Sequence, residues 1–514
     1  MHILTTRKFR IHSLPSLLAL SACVFISAPL TLRAQSDKII PADIDTKDIS
    51  LISLGPIGVR VKTDHQSGRV PRSESNSGIV MFTFENSPAE NVLELGDEIV
   101  GINGKKFNKN FTALIAEEIN LAEGSNGKLK LEILRDSKPR FVTLDIEPIG
   151  SYAPTWPKNC KKSQVILENA CDWLVKHQHK NGRIEKNEGN ACLVLTSASG
   201  LAMLGCDEKK YSRPVKKIAS FLIEHIEQKT NKDGHFNGGT LDLWSINYAA
   251  IFLSEYYLRT DDKKAFKTLE FLNDEIYYRQ FHQMSPEAAK HITTHLVNVK
   301  KYKHDPVPKY WFGHGLITTK ANGYVHLGVN VANATVAWSL MDKVGVEVDR
   351  ENLKATLDYI EKACVSGAMG YSSKMNQNRI HMDAFGRTGL LGISLAMEEG
   401  RENYKKKVTN ALNLISANGF YSSHATCVMG KAWGALGMAQ LDPNHFRKVM
   451  DEMQGDFDLL RLSDGSFVSN PVKNNIHGKY DLLTGGSGER HRWTTAFNAL
   501  IYTIGEGKLM ITGG

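Results

Sequence analysis

The chain has 514 residues, 42% hydrophobic and 23% charged, with 42 Gly and 16 Pro. That length exceeds one ordinary core and calls for two or three domains. The composition excludes a wholly disordered, collagen-like or polytopic membrane chain. The formal charge is +8, but Arg7, Lys8, Arg10 and Arg33 stand in a stretch, 1–34, that holds no acid; without these four of the 63, 59 basic residues face 55 acidic ones, a net of +4. So small and dispersed an excess excludes nucleic-acid binding as the reading of the charge.

Residues 1–34 read as an address. A basic start, Arg7-Lys8-Phe9-Arg10, precedes an apolar run over 14–32, interrupted by Pro15 and Pro29, and Leu32-Arg33-Ala34 ends it. This is the pattern of a secretory signal cleaved near Ala34. An alternative stays open: Leu20-Ser21-Ala22-Cys23 has the form of a lipobox, in which an acylated Cys23 anchors the chain to a membrane. Either way the expected location is exported, periplasmic or secreted, where disulfides are permitted. Six cysteines follow: Cys160, Cys171, Cys192, Cys206, Cys364 and Cys427. No CxxC occurs, so no zinc knuckle is expected, and buried free thiols are the simplest reading.

Residues 48–148 are β-rich. Leu54-Gly55-Pro56-Ile57-Gly58 is a glycine-punctuated loop leading into a strand at Val59-Arg60-Val61. Short strands are expected at 79–84 and 95–102, the second closed by an Asn103-Gly104 turn. A helical pattern covers 111–122, strict alternation marks a half-buried strand at 128–134, and 141–146 is its hairpin partner. The step Ser87-Pro88-Ala89 and the run LxxGDxIxxINGxxF from Leu93 to Phe107 resemble a PDZ domain. That resemblance implies a peptide- or protein-binding groove at Leu54, Gly55, Pro56, Ile57, Gly58 and Val59. Backbone N–H groups of the loop form a nest for a terminal carboxylate, and the following strand offers an edge for β-augmentation. The alternative is that the protein's own chain fills the groove.

A Pro-rich linker, 149–162, then leads into helical patterns that continue to the end of the chain, 163–514. They fall at 163–177, 191–204, 214–227, 243–257, 329–344, 351–363, 387–398, 404–414, 426–440 and 493–504. A Gly-aromatic or Gly-apolar loop recurs at Gly182, Gly234, Gly323, Gly370, Gly419 and Gly465. The spacing is close to 48 residues, once doubled with a degenerate copy near Tyr278, and suits two helices per unit and six or seven helical hairpins. Small residues open the helices that follow these loops, as in Ser197-Ala198-Ser199-Gly200 and Gly430-Lys431-Ala432-Trp433-Gly434, and permit a tight inner layer. This part resembles the α/α toroids of terpenoid cyclases and prenyltransferase β-subunits. The whole is similar to an uncharacterised family of exported bacterial proteins in which a PDZ domain precedes such a toroid. The fold class expected is therefore multidomain: a small α+β PDZ domain, then an all-α toroid. The resemblance implies architecture and no activity.

The residues themselves leave two functions open. No DxDD acid stands for alkene protonation, and His424 with Cys427 lacks the Asp-x-Cys partner of a prenyltransferase zinc site, so no metal and no cofactor are expected. No P-loop, dinucleotide fingerprint, HExxH or GxSxG is present. Polar residues do recur beside the loops: His235, Asp242, His326, Asp383, His424 and His491 are the candidate site, with Arg387 and Arg490 as cations for an anionic ligand. Read singly, each is a helix cap or a satisfied loop residue. Read together, they expect one toroid mouth that takes an anionic small molecule or a glycan. The first function is peptide or protein binding with the toroid as a second recognition surface. The alternative is an enzyme at the mouth, acting on polysaccharide.

Overall fold

In the computed structural model, residues 50–63, 74–185, 192–238, 242–280, 309–312, 327–371, 380–422, 427–468, 472–473 and 490–514 are described. The signal segment 1–34, with Cys23, lies outside them, as do His326 and His424.

The N-terminal part is one antiparallel sheet. Its strands are β1 (Ser50–Ser53), β2 (Val59–Lys62), β3 (Gly78–Thr83), β4 (Glu98–Ile102), β5 (Lys105–Lys106), β6 (Lys128–Arg135) and β7 (Lys138–Asp145). The order across the sheet is β7-β6-β4-β3-β2-β1-β8, with β5 on β4; β8 (Val472–Lys473) comes from the far end of the chain. Alternation fixes the faces. Leu129, Leu131 and Ile133 of β6 are fully buried while Lys128 and Lys130 point to solvent. The expected hairpin is present, β6 pairing β7 from Lys128↔Asp145 to Arg135↔Lys138. So is the Asn103-Gly104 turn: both residues have positive φ, 48° and 78°, between the paired Ile102 and Lys105. Helix α1 (Phe111–Glu123) lays Phe111, Ile115 and Ile119 onto β4 and β6. Strands β1 and β8 were not legible in the pattern.

Twelve further helices are described. They are α2 (Lys161–Lys176), α3 (Cys192–Cys206), α4 (Ser212–Lys229), α5 (Asp242–Thr260), α6 (Lys263–Tyr278), α7 (Gly328–Lys343), α8 (Arg350–Ala363), α9 (Phe385–Met397), α10 (Glu402–Ser422), α11 (Cys427–Leu441), α12 (Pro443–Asp458) and α13 (Arg490–Tyr502). They alternate in character. Helix α3 is buried along its whole length, and α5 and α7 nearly so, whereas α4, α8 and α12 bury one stripe. The buried helices pack in a closed circuit: α3 on α5, α5 on α7, α7 on α9, α9 on α11, α11 on α13, and α13 back on α3. The striped helices cover that circuit from outside. Small residues set the closest crossing. A Cβ on Gly389 would stand 2.1 Å from the carbonyl oxygen of Trp433, and one on Gly386 2.4 Å from Cα of Gly430.

The loop repeat is real but differs in two copies. In four copies the glycine closes a turn, its N–H donating to the carbonyl three residues back: Gly182 to His179, Gly234 to Asn231, Gly367 to Cys364 and Gly465 to Leu462. The fourth turn glycine is thus Gly367 and not Gly370. Gly419 lies inside α10, where Phe385 occupies the space a Cβ would need. Gly323 lies outside the described residues.

Three of the turns press onto the next outer helix. A Cβ at Gly182 would meet the Lys217 carbonyl oxygen of α4 at 2.1 Å, one at Gly367 that of Lys407 of α10 at 2.4 Å, and one at Gly465 that of Asn169 of α2 at 2.5 Å. The last contact joins the end of the chain's helical part to its beginning.

Candidate functional site

Each turn hands its next apolar residue to a pair of clamps. The N–H groups of Ile184, Met369 and Phe467 donate to the hydroxyls of Thr196, Thr388 and Thr495, all on inner helices. The carbonyls of Ile184, Met369 and Phe236 accept from Arg492, Arg387 and Arg279. These arginines therefore hold loops to helices. Arg387 is buried, which pushes its pKa down, and it keeps Asp383 at 3.6 Å and the Tyr371 ring at 5.4 Å. The expected free cation at Arg387 is thus engaged by its own chain.

Of the six candidate residues, His235 and Asp242 come together through two residues that sequence reasoning missed. His235 Nδ1 lies 2.7 Å from Glu275 Oε1, and Glu275 Oε2 accepts from the Phe236 N–H at 2.8 Å. Arg279, one helical turn beyond Glu275, binds it at 2.5 Å and reaches Asp242 at 3.5 Å. Glu275, Arg279 and Asp242 are buried, and His235 is 30% exposed in its side chain. Its ring stacks on Tyr278 with centroids 3.9 Å apart, and Tyr278 is itself 41% exposed. A carboxylate on Nδ1 orients the imidazole, as it does for a positioned base. The signal was in the sequence: Glu275 and Arg279 have i,i+4 spacing.

Asp383 belongs to a second cluster, 3.2 Å from the exposed His381. His491 belongs to a third, against the small domain. Its ring is 6.2 Å from Phe84, and its Nε2 is buried with no hydrogen-bond partner among the described residues. Burial, with Arg60 and His177 adding to it and Asp464 opposing, lowers its pKa from 6.5 to about 4. The described candidates thus fall in three networks and share no hydrogen bond or ion pair across them.

The circuit is bridged across its middle. Tyr248 of α5 and Trp433 of α11 stand three places apart among six inner helices, and the indole Nε1 donates to the phenol oxygen at 2.5 Å. The C-terminal tail spans the same pair of helices at their far ends. The Ile511 N–H donates to Glu255 of α5 at 3.0 Å and its carbonyl accepts from Gln440 of α11 at 2.6 Å. Among the described residues no cluster of three or more His, Cys, Asp or Glu could hold a metal ion.

The loop expected to take a peptide terminus is covered. Leu54, Gly55, Pro56, Ile57, Gly58 and Val59 are all buried. A Cβ at Gly55 would stand 2.2 Å from the carbonyl oxygen of Asp458, at the end of α12, and Leu459 joins the small domain's core. Strand β2 is paired on both edges, with β1 and with β3, and β1 is paired in turn by β8. The hydrogen-bonding edge that a peptide would use is taken by this chain.

The class these observations define is a two-part protein, an antiparallel sheet module docked on a closed circuit of helical hairpins. A profile of the family described as a domain of unknown function, DUF6288, matches residues 163–513, and the chain belongs to that family. No curated protein matches. A crystal structure of a protein from Actinoplanes is similar at 16% identity and a TM-score of 0.42, over 66% of this chain and 99% of that one.

Proposed function

We propose that this is an exported recognition protein, a PDZ-type domain fixed on an α/α toroid of six hairpins, that binds a peptide, protein or glycan chain on the toroid. The contact across the ring carries the reading. Tyr248 and Trp433 are joined across the centre and the tail joins the same two helices at the far end, so the chain's own side chains meet where a central ligand would lie. The half-exposed pair His235 and Tyr278 offers instead a flat aromatic platform of the kind that stacks on sugar or aromatic side chains. The small domain serves here as a support, because its loop at 54–58 is covered by α12. A thermal-shift screen of the full chain against peptides with free C-termini and soluble polysaccharide fragments tests this. Tyr278→Ala should abolish the shift given by any ligand while leaving the unliganded midpoint unchanged. A ligand whose shift survives Tyr278→Ala and is lost on unpacking Gly55 from Asp458 would return recognition to the small domain.

The alternative, an enzyme, is favoured by one observation, the His235–Glu275 pair. Turnover of a polysaccharide by the wild type, lost in His235→Asn with binding retained, would make this pair a catalytic base and overturn the purely recognitive reading.

A further inference from the structure

An open cavity of about 520 Å³ lies between outer helix α6 and the connection from α7 to α8, a volume within the usual span of ligand sites. One wall is a single face of α6. Glu270, Asn273, Asp274 and Tyr277 line it, and at i, i+3, i+4 and i+7 they stand in one row. The other wall is the connection itself and the first turn of α8, with Glu347, Asp349 and Asn352. Two hydrogen bonds fix these walls. Asn273 Nδ2 donates to the Glu347 carbonyl at 3.2 Å, and the Asn352 N–H donates to Asp349 Oδ1 at 2.8 Å, capping α8. Trp338 of α7 and Val346, both buried, supply an apolar lining.

We propose that this cavity binds a flexible organic cation carrying two or more ammonium groups, the chemistry shared by a linear polyamine and by the lysine side chains of a peptide. Charge is the first support. Glu270, Asp274, Glu347 and Asp349 are all exposed, and no Lys or Arg stands among the described lining residues, in a chain whose formal charge is +8. Arg350, the cation next to Asp349 in sequence, is bound to Asp342 instead. Desolvation and the Glu275 charge raise the Asp274 carboxyl above its ordinary range, as expected of an acid with no cation beside it. The second support is independent of charge. Asn352 lines the same cavity with only 7% of its surface exposed, and its Oδ1 has no hydrogen-bond partner among the described residues. A buried acceptor left unpaired is costly, and a ligand N–H would satisfy it.

The arrangement selects among cations. Among the described residues no three carboxylates converge closely enough to hold a metal ion, so the negative charge is spread along two walls and suits a ligand whose own charges are spread. An ammonium group brings three donors, and each donor that meets a carboxylate makes a charge-assisted bond. The methylenes between ammonium groups lie against Trp338 and Val346, as the stem of a lysine lies on apolar surface. The proposal does not rest on the platform at His235 and Tyr278, so either can fail without the other.

The test is titration calorimetry of the full chain at physiological ionic strength, where non-specific attraction is screened. The probes are spermidine and tetralysine, with magnesium chloride as competitor. The expected result is saturable binding that an equal concentration of magnesium does not displace. Saturation by spermidine alone supports the proposal with a free polyamine as ligand, and saturation by tetralysine alone supports it with peptide lysines. The double variant Asp274→Asn, Glu347→Gln, changed at two exposed side chains, should fold normally and bind roughly tenfold more weakly. Glu224→Gln, at an exposed position of α4, should bind as the wild type does, and so should Tyr278→Ala. No saturable binding of either probe, displacement by magnesium, or unchanged affinity in the double variant would overturn the proposal. Loss of binding in Tyr278→Ala would move the ligand to the aromatic platform and overturn it as well.

Discussion

His491 is a residue whose surroundings forbid its charge. In the folded chain its pKa is about 4, against ~6.5 for a free histidine. Between those values the unfolded chain takes up a proton that the folded chain refuses, so stability is complete above about pH 6.5 and declines as pH falls toward 4. At 1.36 kcal/mol per pH unit the loss approaches roughly 3 kcal/mol. Urea unfolding at pH 7 and pH 4.5 should show this decline in the wild type and a smaller one in His491→Gln; equal declines would remove His491 as the cause. The turn glycines make a second contrast at this scale. Gly182 has φ +105° and a carbonyl 2.1 Å from where a Cβ would go, whereas Gly234 has φ +83° and open space. Gly182→Ala carries both backbone strain and a clash and should cost about 2–4 kcal/mol. Gly234→Ala carries strain alone, about 1–2 kcal/mol. Denaturant midpoints that rank the two variants in the opposite order would sink the argument.

At the scale of elements, one device is used repeatedly: a turn glycine seats the loop on the next outer helix, and a threonine of an inner helix receives the loop's N–H. Thr388→Val keeps the shape and leaves the buried Met369 N–H without its partner, a loss of about 1–3 kcal/mol. Thr409→Val, on outer helix α10 with its hydroxyl turned back to Lys405, should stay within about 0.5 kcal/mol. Thermal midpoints of the two variants separate these outcomes. None of these threonines could be found in the sequence, because a threonine within a helix is common and its partner lies a variable distance away, from Ile184 to Thr196 or from Phe467 to Thr495. The inner helices, by contrast, were legible to within a few residues, since burial on all sides leaves long apolar and small-residue runs. Helices α6 and α12 were missed. Both are outer helices with one narrow stripe, announced mainly by the caps Asp262 and Asp442. Of the candidate site, His235 and Asp242 were legible from their place beside a glycine turn, while Glu275 and Arg279 lay at the end of the helix that was not seen.

The whole molecule is joined by a buried ionic cluster between the sheet module and the helices. Lys162, at the start of α2, lies 2.9 Å from Glu123 of α1 and 3.4 Å from Asp458 of α12, and donates to Asn120 at 2.7 Å. Arg461 binds the same two carboxylates, the Tyr152 hydroxyl donates to Asp458 at 2.8 Å, and the Lys162 ammonium lies over the Tyr152 ring. Two cations thus neutralise two carboxylates, with all four side chains at most 7% exposed. Such a cluster adds little over a packed apolar interface while it is whole, but removal of one member leaves an uncompensated buried charge. Leu459 sits in the small domain's core and Gly55 against Asp458, so the two parts share apolar packing as well as charge. Unfolding either part would therefore expose the ionic face of the other. Calorimetry of the wild type should show one cooperative transition. Lys162→Met should lower its midpoint by the equivalent of about 3–5 kcal/mol and affect the sheet and helix signals of circular dichroism together. Two resolved transitions in the wild type, with Lys162→Met moving only one of them, would mean that the sheet module holds its fold without the helices, and that the covered loop at 54–58 could open to a ligand.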